Sequence, residues 1–136
     1  MCIRDSLGSL NGVFYTDPTT SKPTFANHYP GTIAASDIKA FVADDPYERF
    51  EIQSNKATAH AQTDVFKNFN IEVTAGDSAN NVSKSELNHS TSTTGTAQIK
   101  VTGISTDVEN NTVGAANLNF VVMINEHLYN AKNNGI

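Results

Sequence analysis

Asn117-Leu118-Asn119-Phe120-Val121-Val122-Met123-Ile124-Asn125 decides the fold class of this chain. Leu118, Phe120, Val122 and Ile124 fall on alternate positions, and Asn117, Asn119, Val121, Met123 and Asn125 fall between them. A period of two is the signature of a strand with one face in a core. The first set must face inward. Val121 and Met123 give the second face an apolar patch that needs partial cover, from another part of the chain or from a partner.

The same alternation recurs upstream. Ile38, Ala40 and Val42 share one side of a strand that ends at Asp44-Asp45-Pro46, a turn sequence in which proline fixes φ and aspartate bonds the backbone. Arg49 to Gln53 alternates about Phe50 and Ile52. Ser54-Asn55-Lys56 reads as a hairpin turn, and Ala57 to Gln62 as a further strand of small residues, with a short helix as the alternative because alanine favours helix. Phe69, Ile71 and Val73 make another. Val82 to Leu87 suggests a short strand, residues 88–96 a polar loop, and Gln98 to Thr102 a clean strand. Residues 105–116 form a long polar connection. No helix of three turns is evident. About seven short strands with frequent turn signals predict an all-β domain, either an antiparallel β-sandwich or a small β-barrel.

The composition agrees. Among 136 residues there are 16 Asn, 15 Thr and 11 Ser, against 23 charged residues and 38% hydrophobic content. Few charges with many Asn, Thr and Ser suit exposed strand faces and turns better than helix surfaces. The net charge of -5 argues against a nucleic-acid partner, which requires a basic patch. The longest apolar run, Phe120 to Ile124, is far shorter than a membrane-spanning helix, so no membrane association is expected.

Three segments are expected. Met1-Cys2-Ile3-Arg4-Asp5-Ser6 resembles the translation of a sequencing-library adapter and is set apart from fold reasoning, with a native N-terminus expected further upstream. The only cysteine leaves with it, so no disulfide or thiolate chemistry is expected. Residues 7–31 hold Asn11-Gly12, Asp17-Pro18, Lys22-Pro23 and Pro30-Gly31. Breakers this dense predict an irregular, extended N-terminal arm, yet Phe14, Tyr15, Phe25 and Tyr29 are too apolar for a free tail. These four, with Val121 and Met123, are the candidate partner contacts. Residues 32–136 form the β domain.

Catalytic chemistry finds little to work with. There is no Gly-x-Ser-x-Gly elbow and no glycine-rich phosphate loop. His28, His60, His89 and His127 are scattered, with no His-x-His or His-Glu-x-x-His pair, and a metal or proton-transfer role would require them to converge by folding. Asp44, Asp45 and Glu48, and the loop Asp107 to Asn111, are oxygen-rich but read as ordinary turns rather than calcium sites. The chain is expected to be non-enzymatic, with no cofactor and no metal.

Phe14-Tyr15-Thr16-Asp17-Pro18-Thr19-Thr20, then Tyr29-Pro30-Gly31, Ile38 to Pro46, Phe50-Glu51-Ile52-Gln53 and Asn119 to His127 together resemble a family of small virion structural proteins of marine tailed phages. The resemblance runs from about Val13 to Ile136. It implies a head accessory or decoration subunit located in the virion, forming a homo-oligomer, docking on the major capsid protein, or both. It carries over no catalytic or metal-binding residue. The alternative function is a receptor- or glycan-binding β module of a fibre, with the polar loops as its binding surface.

Overall fold

The closing strand lies second from one edge of a five-stranded antiparallel sheet. In this computed structural model, which describes residues 7–130, the strands are β1 (Ser9–Thr16), β2 (Pro23–Ala26), β3 (Lys39–Ala43), β4 (Phe50–Gln53), β5 (Asn68–Glu72), β6 (Glu86–Thr93), β7 (Ile99–Ile104) and β8 (Asn119–Ile124). One 3₁₀ turn, Gln62–Asp64, is the only helical element among the described residues. The strands form two antiparallel sheets, a small one ordered β2-β1-β3 and a large one ordered β4-β8-β7-β5-β6. The all-β expectation holds, and two separate sheets fit a β-sandwich. The adapter-like residues 1–6 lie outside the described residues, as do 131–136 at the end of the resemblance.

The register of the large sheet explains its core. Phe50 pairs with Val122, Ile52 with Phe120, Ile99 with Ile124, and Phe69 with Ile99. Alternation then places all of them on one face. That face holds the main cluster of Phe69, Leu87, Ile99, Val101, Leu118, Phe120 and Val122, all buried. Leu118, Phe120 and Val122 are core as the pattern requires; Ile124 is half-buried. Val121 and Met123 lie on the opposite face, also half-buried, paired with Glu51 and Lys100.

The large sheet curls. Beyond β4 the chain continues through Ser54, which forms an isolated parallel bridge with Leu87 of β6. The Asn55 amide donates to the Leu87 carbonyl at 3.0 Å. The two edges of the sheet therefore meet at one point, and both unpaired edges are shortened there, which limits edge-to-edge association. Ser54-Asn55-Lys56 is thus a crossing between sheet edges and not the hairpin turn its sequence suggests.

Three further segments depart from the sequence reading. Residues 7–31 are extended as expected, but they are not irregular: β1 and β2 form a hairpin with Val13, Phe14, Tyr15 and Thr16 paired to Ala26, Phe25, Thr24 and Pro23. Pro23 opens β2, a position where strands tolerate proline, and Asn11-Gly12 falls inside β1 beside a register shift against β3. Residues 88–93, expected to be loop, belong to β6. As an edge strand β6 has an uncovered side, so polar Ser and β-branched Thr serve it as well as apolar residues would. Residues 57–62 form no strand. Alanine side chains are too small to define a core stripe, and the segment instead exchanges single backbone bonds with the 105–116 connection, from His60 N–H to the Ala115 carbonyl and from Gly114 N–H to the His60 carbonyl.

Candidate functional site

Two places in the molecule have the ingredients of a site. The first is the outer face of the small sheet. Phe14 and Phe25 are direct cross-strand partners, and Phe41 of β3 pairs with Gly12 of β1. Gly12, Phe14, Phe25 and Phe41 therefore share one face. A Cβ on Gly12 would sit 2.4 Å from the Phe25 Cζ, so the Phe25 ring lies directly over the glycine. Its neighbour across the strand is the Phe41 ring, 6.0 Å away between centroids and tilted by 51°. The glycine supplies the floor, and two aromatic rings from the flanking strands close over it. The result is an aromatic ridge that faces solvent, with Phe25 60% and Phe41 51% exposed.

The candidate contacts read from sequence divide accordingly. Phe14 and Phe25 belong to the ridge, and Tyr29 is exposed just beyond β2. Tyr15 does not belong: it is 5% exposed and points, with buried Val13, to the opposite face. Strand alternation alone separates Phe14 from Tyr15, once the segment is recognised as a strand. Phe41 of β3, outside the six candidates, completes the ridge. Val121 and Met123 lie on the other sheet, so the six residues are not one surface.

The second place is interior. His60, Asp64 and His89 offer ligand atoms that lie within 4.8 Å of one another, and they are the only such group of three among the described residues. Asp64 closes the 3₁₀ turn. Its Oδ2 accepts from the Ala61 N–H at 3.3 Å, which fixes the carboxylate over the residue that caps the turn. His60, four residues before Asp64, precedes the turn, and its Nδ1 lies 3.4 Å from Oδ2. His89 comes from β6, with Nε2 at 3.1 Å from the same oxygen. Lys67 Nζ donates to the other oxygen, Oδ1, at 3.3 Å.

The position of His89 has a local cause. Asn68 pairs with Thr93 while Asn70 pairs with Asn88, so one residue of β5 faces the four residues His89 to Ser92 of β6. This large bulge is held by side chains: Asn88 Oδ1 accepts from the Ser90 amide and hydroxyl, Thr91 Oγ1 donates to the Asn88 carbonyl, and the Asn70 amide donates to Thr91 Oγ1. The His89 amide, freed from the ladder, donates to Asn55 Oδ1 at 3.0 Å. Asn55 Nδ2 in turn donates to Glu72 Oε2. Bulges re-aim side chains, and this one turns the His89 ring against the His60 ring at 5.0 Å and the Phe69 ring at 5.7 Å.

The electrostatics follow from burial. Asp64 is 4% and His60 3% exposed. Burial pushes the Asp64 carboxyl up, but bonds from His89, Lys67, the Ala61 amide and His60 outweigh it and hold its pKa at about 2. Asp64 is therefore ionised at neutral pH. Burial pushes the His60 imidazole below its ordinary value, and the bond to Asp64 opposes this without cancelling it. The cluster can hold a proton or a cation between two imidazoles and one carboxylate. No pair of histidines in the sequence announces it, because its members come from the turn and from a distant edge strand.

The expected acidic turns behave as turns. Asp45 Oδ1 accepts from the Tyr47 amide at 2.8 Å, and Asp107 Oδ1 from the Val108 amide at 2.7 Å. Among the described residues no helix is long and apolar enough to cross a membrane. No family model, curated protein or solved structure matches the chain.

Proposed function

We propose that this chain is a non-enzymatic structural subunit of a tailed-phage particle, a capsid accessory or decoration protein, and that the outer face of its small sheet is the docking surface. The observation that supports this reading is the aromatic ridge of Phe14, Phe25 and Phe41. Aromatic side chains are enriched at protein interfaces, where they bury large areas at low entropic cost. Here they line up across three strands with no chain covering them among the described residues. The ridge sits between β2 and β3, the two edges of the small sheet. A neighbouring subunit can thus add a strand beside the ridge and cover its rings in the same movement. The resemblance of the sequence to phage virion proteins supports the same role.

The test is a double variant, Phe25→Ser with Phe41→Ser, compared with the parent by light scattering and by co-sedimentation with undecorated capsids of the parent phage. Both side chains are more than half exposed, so the fold is expected to survive, as far-ultraviolet circular dichroism will report. The parent is expected to self-associate or to sediment with capsids, and the variant to do neither. A parent that remains monomeric and ignores capsids ends this reading.

A further inference from the structure

We propose that His60, Asp64 and His89 form a zinc site that fastens the 3₁₀ turn to the bulge of β6. Two of its three ligand-atom spacings match those of a tetrahedral centre. With bonds of about 2.0–2.1 Å, neighbouring ligand atoms on zinc stand about 3.3 Å apart. Asp64 Oδ2 lies 3.4 Å from His60 Nδ1 and 3.1 Å from His89 Nε2. The third edge, between the two imidazole nitrogens, is no longer than 4.8 Å, and a small rotation of His89, the least buried of the three, closes it.

The hydrogen bonding of the cluster is an independent reason. Three nitrogens, His60 Nδ1, His89 Nε2 and the Ala61 amide, crowd Oδ2, whereas one carboxylate oxygen has only two lone pairs. Oδ1 meanwhile receives Lys67. A dication between Oδ2, Nδ1 and Nε2 replaces two crowded contacts with three coordinate bonds and leaves the Ala61 and Lys67 bonds in place. His60 Nδ1 points at the site, and its buried Nε2, which has no hydrogen-bond partner, would carry the ring's proton once Nδ1 binds the ion.

The donor set selects the ion. Two imidazoles and one carboxylate suit zinc and its late first-row neighbours, while calcium and magnesium require more oxygen ligands than the cluster has. Three protein ligands leave the fourth position to a water molecule, and His89, whose side chain is 21% exposed, is the member nearest solvent. Lys67 opposes the ion's charge, but its side chain is about one-third exposed and bonds the oxygen that the metal leaves alone. The site would tie together segments separated by 25 residues of sequence, in a chain whose only cysteine is Cys2.

The experiment uses the full chain carrying Cys2→Ser, so that no thiol contributes. Zinc is titrated against a chromophoric chelator, cobalt(II) is added separately for its visible spectrum, and melting is followed with zinc and with EDTA. The expected result is one zinc per chain, intense cobalt bands of a four-coordinate site, and a melting temperature raised by zinc and restored by EDTA. His89→Gln, at a partly exposed position, is expected to keep the fold, to bind zinc at least tenfold more weakly and to lose both the cobalt bands and the zinc-dependent melting shift. Absence of uptake by the Cys2→Ser protein overturns the proposal. So does uptake that persists unchanged in His89→Gln, because the metal would then sit on other histidines.

Discussion

Replacing Asp64 with asparagine tests the electrostatics of the interior cluster most directly, because shape is nearly conserved and only the charge and one acceptor are lost. The magnitude follows from linkage. A carboxyl whose pKa is 3.8 when unfolded and about 2 when folded contributes about 2 kcal/mol of stability at neutral pH, at about 1.4 kcal/mol for each tenfold change in proton affinity. The group is buried, so solvent screening takes little from this figure. Its folded pKa is depressed, so the contribution is complete above 3.8 and is lost as pH falls through 2. The same relation leaves about 1 kcal/mol at pH 3 and a few tenths at pH 2. Urea unfolding monitored by circular dichroism, in EDTA to keep metal out, should show Asp64→Asn about 2 kcal/mol less stable than the parent at pH 7. The gap should narrow to near zero by pH 2. A gap under about 0.5 kcal/mol at pH 7, which is the scale of an ordinary surface substitution, would refute the reasoning. A gap that stays constant down to pH 2 would refute it equally, since it would then come from packing and not from charge.

Other outcomes follow from the same structure. His60 favours its neutral form when folded, so its contribution is complete above the unfolded value of 6.5 and is lost as pH falls below it; parental stability should decline between pH 7 and 5, and His60→Gln should flatten that decline. Phe120 is fully buried, central to the large sheet and stacked edge-on against His60, so Phe120→Ala should cost about 3–5 kcal/mol in urea unfolding. Gly12→Ala places a methyl group 2.4 Å from the Phe25 ring and 2.8 Å from the Ala26 carbonyl, and should cost about 1–3 kcal/mol while accelerating hydrogen exchange across β1 and β2. Gly103→Ala, which meets nothing within 4 Å, is the control and should leave both measurements within about 0.5 kcal/mol of the parent.

Much of the fold was legible because alternation survives wherever a strand has a buried face. β4, β5, β7 and β8 all line the main core, and their large residues fall on every second position. The segments misread are those where that pressure is weak. β6 is an edge strand with one large core residue, Leu87, followed by polar positions, and a bulge of four residues interrupts its period. The hairpin of β1 and β2 has glycine and proline inside it, and such breakers ordinarily argue against strands. Here Gly12 is required by the Phe25 ring above it, and Pro23 stands at a strand end. A glycine that looks like punctuation can be a seat for an aromatic partner one strand away, and sequence gives no means to see that partner.

The interior cluster was hidden for a different reason. Metal and proton sites are usually recognised by ligands close in sequence, and histidine pairs are the familiar form. Here the local pair is His60 and Asp64, four residues apart with a single alanine-led turn between them, and the third member arrives from 25 residues further on. His-x-x-x-Asp by itself is a weak signal in a chain with 14 acids. Its meaning depends on His89, and His89 faces Asp64 only because β6 bulges. The bulge in turn depends on Asn55, which receives the His89 amide at the point where the sheet edges meet. The cluster is thus a consequence of how the large sheet curls, not of any short motif. A substitution that opens the curl, such as Asn55→Ala, should loosen His89 from Asp64 without touching either residue, and the loss of the Asp64 pH dependence in that variant would tie the site to the topology that builds it.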